Sequence, residues 1–317
     1  MPRSTFVVSI AIVVVSIALL GVTPAGAETP VFCNMTITIS GQYVLTSDLA
    51  CGAAPGLEVA ANDVHIDFNG HTLSGPGTGV GIITANGGCV GVTGLHLNGG
   101  TVTGFDTGIR LCAPASTTMN AHVNGMTVTG NSLSGIHLVN SDGNHVNGNT
   151  ISENISTQGA VGVRLENSHN NKFNTNRLRD NETVPGVFAT CGGFGLFGSN
   201  DNVITSNDIS DNGAANGGFG VGLFFSSGNT VRGNIVNGNR QQGILVVFGS
   251  NHTVQSNTVN QTLIGNGIFV LFASDNTIKS NIAFNNAALD LLDTNANCDN
   301  NTWKSNTFGT SNQACIQ

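Results

Sequence analysis

Apolar and polar residues alternate along this chain in short runs closed by glycine or asparagine. HVN at 145–147, TIS at 150–152 and VGVRLE at 161–166 show the pattern, with every second residue aliphatic. A period of two marks strands buried on one face. Three such runs form a unit, G-I-x-L, a turn, then N-x-V-x-x-N-x-I-x-x-N, that recurs at gaps of 23 to 31 residues. Its first part appears as GIRL (108–111), GIHL (135–138), GVRL (162–165), GFGL (193–196), GVGL (220–223), GILV (243–246) and GIFV (267–270). The middle asparagine falls at Asn149, Asn176, Asn207, Asn234, Asn257, Asn281 and Asn306. The last falls at Asn154, Asn181, Asn212, Asn239 and Asn286, with Thr262 standing in once.

Three strands per unit, turned by Gly and Asn, make one coil, and stacked coils pair each strand in parallel with its copies above and below. The expected fold is an all-β, right-handed parallel β-helix solenoid of about ten coils, because parallel crossovers are almost always right-handed. The asparagines then become intelligible. An unpaired buried amide costs roughly 1–3 kcal/mol, whereas a turn asparagine stacked on its equivalents finds partners one coil away, as a ladder.

Composition sets the compartment and removes some partners. Met1 to Ala27 carries Arg3, an apolar run from Phe6 to Val22 and the ending Ala25-Gly26-Ala27, the pattern of a secretory signal. The organisation expected is a leader over 1–27, an N-terminal cap segment over 28–55, and the β-helix with its C-terminal cap over 56–317. Once the leader is removed no membrane span is expected, and the protein is placed outside the cell or in a periplasm. The net charge is −8 and only 9% of residues are charged, with 43 Gly and 42 Asn. With no basic cluster, nucleic acid is not an expected partner. In an exported chain, cysteines read first as disulfides. Proximity along the chain suggests Cys33 with Cys51, Cys89 with Cys112 and Cys298 with Cys315, leaving Cys191 over, although spacing alone leaves other pairings open.

The laddered coils from about Gly56 to Phe308, preceded by CNMTITISGQYVLTSDLAC (33–51) and IDFNGHTLSG (66–75), resemble the secreted right-handed parallel β-helix proteins of the pectin-lyase-like superfamily. Among these the likeness is to the NosD-like, PbH1-repeat members. The resemblance implies the fold, and by association carbohydrate binding or polysaccharide cleavage. In such proteins the strand matching GIxL floors the substrate cleft.

Read as columns about 4.8 Å apart, the outward residues of that strand run Arg110, His137, Arg164, Gly195, Gly222, Leu245, Phe269, Asp290. The next column is Cys112, Val139, Glu166, Phe197, Phe224, Val247, Leu271, Leu292. The first half offers a basic file. Arg110 and Arg164 are the candidate ligands for the carboxylates of an extracellular acidic polysaccharide, and His137, Arg164 and Glu166 are the candidate catalytic set, with Arg164 neutralising a uronate and His137 taking the adjacent proton. The bland alternative pairs Glu166 with Arg164 at a solvated surface. The second half is apolar. Phe197, Phe224, Leu245, Phe269 and Leu271 form a stripe suited to self-association or to a structural, adhesive role, unless a loop or the C-terminal tail covers it.

Two further columns invite metal. Glu153, Asp180 and Asp211 each precede a last-ladder asparagine and would gather a hard cation such as calcium, or be neutralised by Arg177, Arg179 and Arg164. His65, His96, His122 and His145, followed by Lys172, form a file on the strand before the middle ladder. The resemblance to NosD-like proteins links that file to copper, though a straight file gives poor tetrahedral geometry. Lyase, epimerase and hydrolase chemistry stands as an alternative to simple binding. Neither the NTD and RIK motifs of polygalacturonases, nor DPH of mannuronate epimerases, nor R-x-P-x-x-R of pectate lyases occurs.

Overall fold

In the computed structural model the described residues are 28–156, 159, 161–183, 192–213 and 217–317. The leader expected over 1–27, Cys191 and most of the excursion from Arg179 to Cys191 lie outside them.

The described residues wind into three long parallel sheets. One coil shows the plan: Val161–Glu166 lies in sheet B, Lys172–Asn174 in sheet A and Arg177–Arg179 in sheet C. Sheet A has twelve strands, sheet B eleven and sheet C seven, with short strands and single bridges prolonging sheet C toward the C-terminus. Register is constant along sheet B: Ile136, Val163, Phe194, Val221, Ile244, Ile268 and Leu291 stack as one column. All seven are fully buried. Each such side chain contributes roughly 1.5–3 kcal/mol by leaving water.

The N-terminal segment 28–55 supplies strands to all three sheets. Met35–Ile37 pairs with Leu57–Val59, Gly41–Val44 with Val64–Asp67, and Leu49–Ala50 with Leu73–Ser74. The Cys33–Cys51 disulfide closes that first coil. At the other end the Cys298–Cys315 disulfide fastens the C-terminal tail, which bridges Leu291 through Ser311.

Three polar ladders run inside the turns. In the middle ladder each side-chain amide donates to the next side-chain carbonyl at 2.9–3.0 Å from Asn149 to Asn306. A second ladder runs from Asn131 through Asn154, Asn181 and Asn212 to Asn239. The third begins at Asn144 and passes through Asn171, Asn202, Asn229, His252 and Asn276 to Asn301.

The glycine that opens each GIxL strand is sterically required. A Cβ at Gly108, Gly135, Gly162, Gly193, Gly220, Gly243 or Gly267 would stand 2.5–2.9 Å from a carbonyl oxygen of the following coil. Asp290 takes that position in the next coil, beside Gly267. It is therefore not in the outward column where the repeat placed it. It turns inward, 3% exposed, and accepts hydrogen bonds from Asn286, Gly309 and Thr310. Leu292 moves into the first outward column, opposite Phe269. The displacement has a simple cause: no glycine marks the start of this last strand, so the repeat loses its anchor there.

Candidate functional site

The outer face of sheet B carries one file in strict register: Thr36, Glu58, Ile83, Arg110, His137, Arg164, Gly195, Gly222, Leu245, Phe269, Leu292. The expected Arg110, His137 and Arg164 are thus neighbours on consecutive strands. Glu166 leans back onto them. Arg164 donates to Glu166 Oε1 from Nη2 at 2.6 Å and from Nε at 2.7 Å. His137 Nε2 stands 3.5 Å from Oε2, an electrostatic pairing longer than a hydrogen bond. His137 and then Arg164 hold the Glu166 carboxyl down at about 2, against the opposing effect of burial.

A carboxylate held so low stays ionised and is a weak base. His137, with its side chain 12% exposed, is turned toward it rather than toward solvent. The expected catalytic trio therefore forms an ion-pair cluster that fixes the plane of Arg164. The guanidinium carbon lies 4.8 Å from the centroid of the Phe197 ring. Phe197 and Phe224 in turn fold over Gly195 and Gly222, stacked at 5.0 Å and within 6° of parallel.

A concave part of this face lies one step before His137, at Arg110. Glu58, Ile83 and Arg110 line a cleft of about 430 Å³. Its walls come from Ala54-Pro55 on one side and from the turn at Gly87-Gly88 on the other. The Cys89–Cys112 disulfide pins that turn to the strand of Arg110. Glu58 is held by Thr36 Oγ1 at 3.0 Å and by the Gly87 N–H at 3.2 Å. Arg110 differs from Arg164 in being uncommitted: its Nε is buried and has no hydrogen-bond partner. The signal for Glu58 was present in the sequence, since GLEV (56–59) and GIIT (81–84) are earlier copies of the GIxL strand.

These coils match the family described as "Right handed beta helix region" over residues 55–259. The chain belongs to that family. No curated protein sequence matches it. Among solved structures, the β-helix chain is similar to the periplasmic alginate epimerase AlgG, at 13% identity and TM-score 0.51, over 86% of this chain and 78% of that one. It is similar to the Dettilon tailspike protein at 16% identity and TM-score 0.60, over 90% of this chain and 59% of that one. A third is the A-module of Azotobacter vinelandii mannuronan C-5 epimerase AlgE6, at 12% identity and TM-score 0.50, over 90% and 85%. At these identities the likeness is one of fold.

The remaining candidate columns of the β-helix form, but neither converges. His65, His96, His122 and His145 stack face to face with centroids 4.2, 4.6 and 4.9 Å apart. Parallel rings direct their nitrogen lone pairs side by side, not onto one point. Burial, and then the neighbouring imidazoles, lower the pKa of His96. For His145 burial leads, with His122 and Lys172 adding to it. Glu153, Asp180 and Asp211 lie exposed in left-handed turns of successive coils. Arg179 stands 3.5 Å from Asp211 and 2.5 Å from Asp208. Calcium prefers six to eight oxygens around one centre, which three carboxylates on separate turns, one facing an arginine, do not supply. Among the described residues no group of three His, Cys, Asp or Glu side chains is placed to hold a metal ion.

Proposed function

We propose that this β-helix protein is exported and binds an acidic polysaccharide along the outer face of sheet B, with the sugar chain seated in the cleft between Glu58 and Arg110. The observation that carries the reading is Arg110: a guanidinium on a cleft floor whose buried Nε has no partner. A uronate carboxylate pairs with the outer nitrogens of this guanidinium, and Glu58 accepts from sugar hydroxyls. Arg164, locked by Glu166 and stacked on Phe197, serves as a secondary contact through its outward edge. The names alginate epimerase and mannuronan C-5 epimerase borne by two structural neighbours lend support to the ligand class. The three disulfides fit an oxidising compartment, and no helix among the described residues is long and apolar enough to cross a membrane.

A panel of uronate and neutral oligosaccharides, titrated against the protein and its variants, tests the reading. Arg110→Ala is expected to weaken uronate binding at least tenfold, as removal of a charge-assisted pair does. Arg164→Ala is expected to cost a few-fold. Binding of neutral and uronate oligosaccharides with equal affinity, or uronate binding insensitive to Arg110→Ala, overturns it.

A further inference from the structure

Beyond the cleft, the C-terminal coils carry a feature the repeat did not announce. Phe225, Phe248 and Phe272 each follow the last residue of a sheet B strand, one per coil. They are 67%, 51% and 63% exposed. Their rings stack at 5.2 and 5.5 Å into a file along the solenoid axis. All three have positive φ, at 51°, 51° and 49°. That left-handed conformation disfavours bulky L side chains and suits asparagine and glycine. Asn140, Asn167 and Gly198 occupy the equivalent turn on the three preceding coils, also at positive φ. The backbone is the same throughout: the Asn167, Gly198, Phe225 and Phe248 N–H groups each donate to the carbonyl that ends the next sheet B strand. The fold therefore does not call for phenylalanine at this turn, and an asparagine would serve it better.

The Phe file borders the apolar stripe foreseen in the sequence. Phe224, Val247 and Leu271 immediately precede the three phenylalanines, and Leu245, Phe269 and Leu292 continue the face inward, all half-buried. The C-terminal tail does not cover this face; it closes the end of the solenoid against Leu291 and Asp293. From their exposures, and at roughly 150–250 Å² for a whole phenylalanine, the three rings alone offer about 350 Å². With the half-buried neighbours the patch reaches about 600 Å², the upper end of what a monomer ordinarily leaves to water. Pairing two such patches removes about 1,200 Å² in total, the lower bound of a specific interface.

We propose that this face binds the same face of a second copy of the chain. The patch is uncharged, so it selects an apolar partner. It is also a straight file of regularly spaced ring edges, and two such files running antiparallel about a two-fold axis offer each other matching ridges and grooves. The pairing uses the C-terminal coils and leaves the Glu58–Arg110 cleft open, so it does not rest on the polysaccharide reading.

Sedimentation velocity of the exported protein over a range of concentrations tests it. A dimer in reversible equilibrium is expected. Phe225→Asn, Phe248→Asn and Phe272→Asn combined should weaken it at least a hundredfold, while the monomer melts no lower than wild type because asparagine accepts the turn. Phe248→Asn alone, expected to weaken the dimer about tenfold, serves if the triple variant does not fold. A wild-type monomer at on the order of 100 μM, well above the micromolar range that an interface of this area supports, overturns the proposal and leaves the face to a different partner. A dimer that both variants leave unchanged overturns it equally, and a trimer overturns the two-fold pairing.

Discussion

His252 stands where its ladder otherwise carries asparagine, and the exchange makes one rung sensitive to pH. Its Nδ1 accepts the Asn229 N–H at 3.1 Å, so the ring is built into the coil as the neutral tautomer. Burial holds its pKa down at about 4, against the raising effect of nearby backbone. Between pH 6.5 and 4 the unfolded chain therefore takes up a proton that the folded chain refuses. Stability falls as pH is lowered through that window, by roughly 3 kcal/mol at about 1.4 kcal/mol per unit. Urea unfolding at pH 7 and pH 4.5 should show His252→Asn losing less stability on acidification than wild type; parallel losses would count against this role. Glu166 acts in a lower window. Its pKa is depressed from 4.5 to about 2, so its contribution is present above pH 4.5 and lost as pH falls toward 2.

Among the elements, the ladders bind one coil to the next. Asn207 accepts both the backbone and side-chain N–H groups of Asn176 and donates to the Phe173 carbonyl. Asn207→Ala strands these buried groups, at roughly 1–3 kcal/mol for each left unpaired, and should lower stability by about 3 kcal/mol or more. Asn174→Ala, exposed on the preceding coil, should change it by less than about 0.5 kcal/mol. Equal losses in calorimetric melting would mean that the ladder amides are passengers on the aliphatic column. The Cys89–Cys112 disulfide works at the same scale for the cleft, since it holds the turn that forms one wall.

Across the described residues the outer face of sheet B changes character: a cleft holding Glu58 and Arg110 on the early coils, an ion-pair and aromatic stack at mid-length, and an apolar face on the later coils. The coils themselves were readable from the sequence because Gly193 and Asn207 each answer a demand of the backbone, so their equivalents recur in most coils. Legibility failed where that constraint lapsed. Asp290 replaces the glycine of the last strand, and the repeat lost register by two residues there. The face-to-face stacking of His65, His96, His122 and His145, and the closure of Glu166 onto Arg164, depend on rotamers that no repeat encodes. Phe225, Phe248 and Phe272 lie one residue beyond the columns of the repeat, at a turn whose other copies are Asn140, Asn167 and Gly198.

Hydrogen–deuterium exchange of the protein with and without a saturating uronate oligosaccharide tests the central claim most directly. The account predicts slower exchange at residues 54–58, 83–89 and 108–112, with sheet C unchanged. Protection confined to sheet A or sheet C, or spread evenly over the coils, would contradict a binding site at the Glu58–Arg110 cleft.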